Sequence, residues 1–234
     1  KLMKTKAILI GGSSRVGEAL AQELALIYES VILITRTQPR AMSANMQVYH
    51  VADFRALAST IEMVAIGADT DAFSCLGVSK QQVPSHDEFY QVNVLYNLEF
   101  AKACKQKGVQ QFYFLSKEGA DTPNHDDELT AKADVEYDLR TLSFDTLAIF
   151  RLYRLTLPKH RLSLKSLGSQ ALNGVLSTLN KNKRALEPKQ VAACMAITAY
   201  KHNHQPQLRT PNQATIITHE QMLNSVIRPN KKSK

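Results

Sequence analysis

The chain has 234 residues, 44% of them hydrophobic and 21% charged, which suits a large α/β domain and excludes a disordered or fibrous chain. Its three cysteines, Cys75, Cys104 and Cys194, form no CxxC pair, so no metal site and no disulfide framework is expected, and a reduced, cytoplasmic setting follows. The net charge of +8 is unevenly spread: residues 151–234 hold 15 Lys and Arg against Glu187 and Glu220, while residues 1–150 hold 14 against 19 acids.

The opening KLMKTKAILIGG has a four-residue apolar stretch before its glycines, too short for a signal peptide. KAILIGG predicts a buried strand. SRVGEALAQELALIY places Val16, Leu20, Leu24 and Ile27 on one helical stripe. SVILITR and MQVYHVAD predict the next two strands, FRALASTIEMVA a helix, and DAFSCLGV a fourth strand. DEFYQVNVLYNLEFAKACKQKG reads as one long helix ending at Gly108. VQQFYFLS, DELTAKADVEYDLRTLS and FDTLAIFRL continue as strand, helix and strand. Runs apolar on both faces belong in a parallel sheet covered by helices, and the alternation predicts a Rossmann-like, doubly wound α/β domain over residues 1–234.

Beyond residue 151 the alternation weakens. LSLKSLGSQALNGVLSTLNK and EPKQVAACMAITAYKH predict helices, and QATIITHEQML a short strand turning into a helix. Residues 151–234 are therefore expected to form a small basic cap over the carboxyl edge of the sheet. Such a cap favours an anionic small-molecule substrate. The tail RPNKKSK reads as solvated surface. Apolar runs such as VAACMAI are too short for a membrane span, and no nucleic-acid-binding motif is present.

ILIGGSSRVG carries the chemistry. In a strand-to-helix turn, glycines permit a tight bend and a close approach of backbone N–H groups to a pyrophosphate, and the helix dipole adds positive potential. Gly11 and Gly17 have the spacing of the outer glycines in GxxGxxG and GxxxGxG; Ser14 or Arg15 stands for the middle one. Gly11, Ser13, Ser14, Arg15, Val16 and Gly17 are the candidate pyrophosphate residues. The second strand ends in Arg36, where NAD binders place an acid for the ribose 2′-hydroxyl. A guanidinium suits a 2′-phosphate, so NADP is expected over NAD. The plainer readings are a packing turn and a solvated strand end.

Taken in order, GGSSRVG, ITR, VAD, SCLGVSK, FYFLSKEGAD, KADVEYDL and FDTLAIFR resemble the atypical short-chain dehydrogenases/reductases, most of all the branch of the Tat-interacting oxidoreductase. The resemblance runs from about Ala7 to Leu152. It implies an NADP-binding Rossmann-like fold, with Asp53 and Phe54 near the adenine, Leu76 and Gly77 along the cofactor, and Asn93 on the following helix.

Enzymes of that class use a Tyr, a Lys four residues later and a Ser after the fifth strand. The resemblance gives Ser116 the role of polarising a carbonyl and Lys132 that of binding the nicotinamide ribose. This chain departs in three places: Glu128 stands for the Tyr, Lys117 for a second Ser, and FRLYR for FRPG. Glu128, Tyr96 and Tyr153 remain as proton-donor candidates, each with a structural reading beside it. Tyr113 and Lys117 have the helical spacing but lie on a strand, about 13 Å apart. HNH at His202–His204 reads as a solvated loop, and HDDE as a helix start. Cys75, Phe112 and Phe114 read as core.

Two functions fit. One is an NADP-dependent oxidoreductase moving hydride to or from a carbonyl or enoyl group. The other is a non-catalytic NADP(H)-binding sensor that has lost the Tyr.

Overall fold

The computed structural model describes residues 4–122, 126–156, 184–211 and 213–227. Seven strands make one sheet: β1 (Lys6–Ile10), β2 (Ser30–Thr35), β3 (Met46–His50), β4 (Thr70–Ser74), β5 (Gln111–Lys117), β6 (Thr146–Leu152) and β7 (Ala214–Thr218). Their order is β3-β2-β1-β4-β5-β6-β7, and every neighbouring pair is parallel. The order reverses between β1 and β4, and in such sheets ligands bind outside the carboxyl ends at that reversal.

The helices are α1 (Arg15–Ala25), α2 (Leu57–Met63), α3 (His86–Tyr90), α4 (Tyr96–Gln106), α5 (Asp127–Thr141), α6 (Pro188–His204) and α7 (His219–Ile227). Alternate residues of β1 feed two cores. Ile8 and Ile10 pack with Leu57 and Ile61 of α2, Phe100 of α4 and Val135 of α5. Ala7 and Leu9 pack with Leu20 and Leu24 of α1, Val191 and Met195 of α6, and Met222 of α7. Each fully buried leucine among these contributes about 1.5–3 kcal/mol. Phe112 and Phe114 lie in the first core, as expected.

Two expectations are corrected here. The described part of residues 151–234 is not a cap over the carboxyl edge: α6 packs on α1, and β7 extends the sheet by pairing with β6 from Leu147↔Ala214 to Arg151↔Thr218. Once β6 exposed an unpaired apolar edge, the Ile216 and Ile217 run was better placed in the ladder than over it. The expected helix within 157–183, the tail RPNKKSK, and His125 of HDDE lie outside the described residues. Second, the long helix expected before Gly108 runs unbroken from His86 to Gln106 but carries a π-helical turn over Gln91–Leu95 between α3 and α4. Gly108 follows the end of α4 with φ +88°, the left-handed conformation that glycine adopts without strain.

Asp71 anchors the opposite end of the sheet. It is fully buried and accepts from Tyr28 Oη at 2.6 Å, Asn203 Nδ2 at 2.7 Å and Gln111 Nε2 at 2.9 Å. Burial raises its carboxyl above the ordinary range, and the Tyr28 and Asn203 hydrogen bonds oppose that rise. His202 belongs to this region. It is a buried residue in the last turn of α6, with its ring against Tyr113, so the expected solvated HNH loop is replaced by helix. The histidine covers Tyr113 from α6, which a loop position could not do. Among the described residues no cluster could hold a metal, and no helix is long and apolar enough to cross a membrane.

Candidate dinucleotide and active site

The β1–α1 turn is built around Gly11 and Gly17. Gly11 has φ +80°, and a Cβ there would overlap the backbone of Cys75 and Leu76 at the end of β4. A Cβ on Gly17 would overlap the Gly11 carbonyl. Both positions therefore exclude any side chain, and the turn brings backbone close to the carboxyl end of β4.

Ser14 has a structural task. It is the N-cap of α1, and its hydroxyl accepts from the Gly17 amide at 3.0 Å. Its own amide donates to the Gly11 carbonyl at 3.0 Å. The serine thus supplies by capping the order that a middle glycine supplies by permissiveness. The first-turn amides of Arg15 and Val16 lack acceptors within the helix by its geometry. Together with Ser13 they are the donors available to a phosphate.

Arg15 and Arg36 diverge. Arg15 donates to the Thr156 carbonyl at 2.7 Å, beyond β6. It does not turn toward Arg36, which leaves Arg36 as the guanidinium at the end of β2. Arg36 sits just beyond β2 with its guanidinium 5.5 Å from the centre of the Phe54 ring. Among the described residues no carboxylate pairs with it.

Two adjoining clefts meet at Arg36 and Phe54. One, of about 190 Å³, runs along Gly11, Ser13, Ser14, Thr35, Leu76, Gly77 and Gln82. The other, of about 520 Å³, lies between Asp53, Phe54, Arg55, Glu88 and Tyr96. Asp53 caps the short turn Phe54–Ala56 and pairs with Arg55. Hydrogen bonds from the Arg55 side chain and backbone hold its carboxyl below the ordinary value. Tyr96 packs edge-on against Phe54, which places it at this outer cleft.

Gly77 borders the inner cleft, and two α-helical elements meet it. A Cβ on Gly77 would lie 3.1 Å from Asn93 Oδ1 and 3.6 Å from Lys132 Nζ. Asn93, in the π turn, donates to the Val78 and Phe89 carbonyls and accepts from the Val78 amide. Asn97, one turn on, donates to the Leu76 carbonyl at 3.4 Å and bonds Ser74. The extra residue of the π turn brings both amides to the loop after β4. Lys132 is buried. Its Nζ donates to the Leu76 carbonyl at 3.3 Å and lies 4.7 Å from the centre of the Phe114 ring.

The residues expected to do chemistry separate. Ser116 is buried and donates its hydroxyl to Glu136 at 2.6 Å. Its hydroxyl proton is engaged by the buried Glu136 carboxylate. Glu136 also receives Arg151 at 2.7 Å and Arg140 at 3.3 Å. Glu128 pairs with Lys117 at 2.8 Å. The positions of the family's Tyr and Ser are thus joined in an ion pair. Asp126 caps α5 through the amides of Glu128 and Leu129. Asp127 pairs with Lys80 and, at 3.4 Å, with His86. Tyr113 is buried and stacked on Phe73, which confirms that its spacing to Lys117 is fortuitous. Cys75 borders the inner cleft, and burial pushes its thiol up to about 12. Tyr153 packs edge-on against His219.

Sequence reasoning missed Asn97, Gln82, Thr35 and Glu136. The spacing of Asn93 and Asn97, both i and i+4 on a helix, was the available signal for the first. Glu136, four residues beyond Lys132, was a further carboxylate on the same helical face.

The turn that excludes side chains, the donor-rich start of α1 and the unpaired guanidinium at Arg36 fit a dinucleotide. The comparisons with known proteins agree. Residues 7–142 match the NAD dependent epimerase/dehydratase family. The chain is 28% identical over 158 residues to rat Protein HTATIP2, covering 64% of this chain and 63% of that one. It is 27% identical over 148 residues to Protein FMP52-1, mitochondrial, of Scheffersomyces stipitis, covering 62% and 65%. The chain thus aligns with less than two thirds of the length of these relatives. Solved structures share the fold. The aldohexose dehydrogenase of Thermoplasma acidophilum superposes with a TM-score of 0.68 at 14% identity, over 100% of this chain and 98% of that one. An NADPH-dependent 3-quinuclidinone reductase of Rhodotorula rubra gives 0.64 at 17%, over 94% and 92%. The fold is that of NAD(P)-binding oxidoreductases, and the chain belongs to the NAD dependent epimerase/dehydratase family as an atypical short-chain dehydrogenase/reductase of the HTATIP2 branch.

Proposed function

We propose that the protein is an NADP-dependent oxidoreductase that transfers hydride to or from a carbonyl or enoyl group of a small molecule. The observation that carries the cofactor choice is Arg36. Its guanidinium stands between both clefts, over Phe54, and among the described residues no carboxylate forms an ion pair with it. A 2′-phosphate would meet a charge-assisted partner there. Ser13 and the start of α1 would hold the pyrophosphate. Asp53 and Phe54 would border the adenine, and Leu76, Gly77 and Lys132 the nicotinamide riboside. A bound reduced nicotinamide supplies the hydride; the chain's own residues orient the substrate and move the proton.

A second reading, a non-catalytic NADP(H)-binding sensor, is favoured by one observation. The hydroxyls of the family mechanism are missing or committed, with Glu128 joined to Lys117 and Ser116 bonded to Glu136.

Calorimetric titration with NADPH and NADH, followed by NADPH oxidation against aldehydes, ketones, enones and 2-oxo acids, tests both. Tighter NADPH binding with turnover supports the enzyme. Tight NADPH binding with no turnover supports the sensor. Equal or absent binding of the two coenzymes overturns the NADP assignment.

A further inference from the structure

We propose that Lys132 is the proton donor of this site: its ammonium, next to Gly77 of the inner cleft, protonates the oxygen of the reduced carbonyl. The inference rests on the oxidoreductase reading above. In related enzymes that task falls to the Tyr, and Lys assists it.

Elimination and geometry lead to the same group. Glu128, where the Tyr stands in relatives, accepts a hydrogen bond from the Lys117 ammonium at 2.8 Å. Ser116 donates its hydroxyl hydrogen bond to Glu136. Tyr96 packs on Phe54 at the outer cleft, and Tyr113 is sealed in the core. Lys132 remains. An ammonium has three N–H donors, and among the described residues the Leu76 carbonyl, at 3.3 Å, is its one hydrogen-bond acceptor. Gly77, which lines the inner cleft, stands beside Nζ: a Cβ there would lie 3.6 Å from Nζ and 3.1 Å from Asn93 Oδ1.

The acid strength fits the task. Burial lowers the Lys132 ammonium to about 8, near the pH at which a general acid both holds its proton and releases it. The charges acting on it are Glu128 and Glu136 of α5, the Cys75 side chain after β4 and Lys117 at the end of β5. Glu128 opposes the lowering, and Lys117 adds to it.

The step balances without further reagents. Hydride adds to the carbonyl carbon, the C=O π pair moves to oxygen, and one N–H bond of Lys132 breaks as its proton joins that oxygen. The carbonyl becomes an alcohol and the nicotinamide is oxidised. The Lys132 amine then regains a proton from water through the Glu128–Lys117 pair, whose side chains are 44% and 33% exposed.

Two measurements test this on the full chain. In the first, ε-carbon NMR of 13C-lysine-labelled protein follows Lys132, assigned with Lys132→Met. Titration near 8, moving lower in Glu128→Gln, is expected; an ordinary lysine titration near 10.4 overturns the proposal. The second is kinetic. Lys132→Arg keeps the charge but holds its proton, so kcat is expected to fall by about 100-fold or more, well beyond any loss of NADPH affinity measured in the same variant. In Glu128→Gln the pH profile of kcat/KM is expected to shift downward in step with the NMR titration. An unmoved profile, retained kcat in Lys132→Arg, or a loss of that size in Tyr153→Phe overturns the inference alone. Absence of NADPH binding or of turnover overturns it together with the enzyme reading.

Discussion

Ser116 and Glu136, 2.6 Å apart and both buried, tie the end of β5 to the middle of α5. Arg151 of β6 completes the bond with two contacts to the same carboxylate. Removing one partner strands the others without solvent. Glu136→Ala is expected to cost about 3 kcal/mol, because it removes the buried carboxylate of the network and leaves Arg151 with the half-exposed Asp121. Ser116→Ala is expected to cost about 1 kcal/mol, a Tm loss of about 2–4 °C. Dinucleotide affinity in Ser116→Ala should be unchanged, which calorimetry on the folded variant checks.

The two adjacent glycines of the β1–α1 turn should behave differently. Gly11→Ala meets a left-handed backbone and the Cys75–Leu76 peptide, and is expected to destabilise by about 1–3 kcal/mol and to abolish NADPH binding. At Gly12 the nearest neighbours are Leu side chains at 3.8 and 4.0 Å, so Gly12→Ala should leave both properties near wild type. Ser14→Ala is expected to cost about 1 kcal/mol through the lost cap, and Ser14→Gly only a few tenths. Thermal melts of the four variants decide the matter.

Arg36→Ala is expected to weaken NADPH binding by about 10- to 100-fold, the range for one charge-assisted bond. NADH binding should barely change. The wild-type preference should also shrink as salt is raised, since Arg36 is exposed. A variant that loses both coenzymes equally would remove Arg36 from the 2′-phosphate.

Acid should weaken the fold through His202. Burial and then Arg209 lower its imidazole from 6.5 to about 4. Above the higher value both folded and unfolded chains hold a neutral ring, and this contribution is complete. As pH falls toward 4, the unfolded chain takes a proton that the folded chain refuses, and about 3 kcal/mol is lost. Tm measured from pH 7 to 4 should fall more steeply in the wild type than in His202→Gln.

The fold was largely legible because β1, β2, β5 and β6 carry apolar runs that reach both faces, a pattern suited to a parallel sheet covered by helices. β7 was read as a strand but misplaced, since nothing local in QATIITH distinguishes a seventh ladder from a cap. The π turn at Gln91–Leu95 was invisible for a related reason. One inserted residue leaves the apolar stripe of α3 and α4 nearly intact and changes only where Asn93 and Asn97 point. At the site, Gly11, Gly17 and Arg36 were readable from spacing alone. The commitment of Ser116 was not, because Glu136 and Arg151 reach it from two other elements.

The meeting of Leu155 and Leu186 has a topological consequence. Their parallel bridge, closed by Thr156 N–H to the Leu186 carbonyl at 2.9 Å and Leu186 N–H to the Arg154 carbonyl at 3.0 Å, joins the two ends that flank residues 157–183. The same spot is held to α1 by Arg15 and to α7 by His219. Whatever lies between those ends departs from and rejoins the scaffold at one doorway beside the cofactor helix. Closure entropy rises only slowly with length, so that stretch can be lengthened, shortened or exchanged with little strain on the sheet.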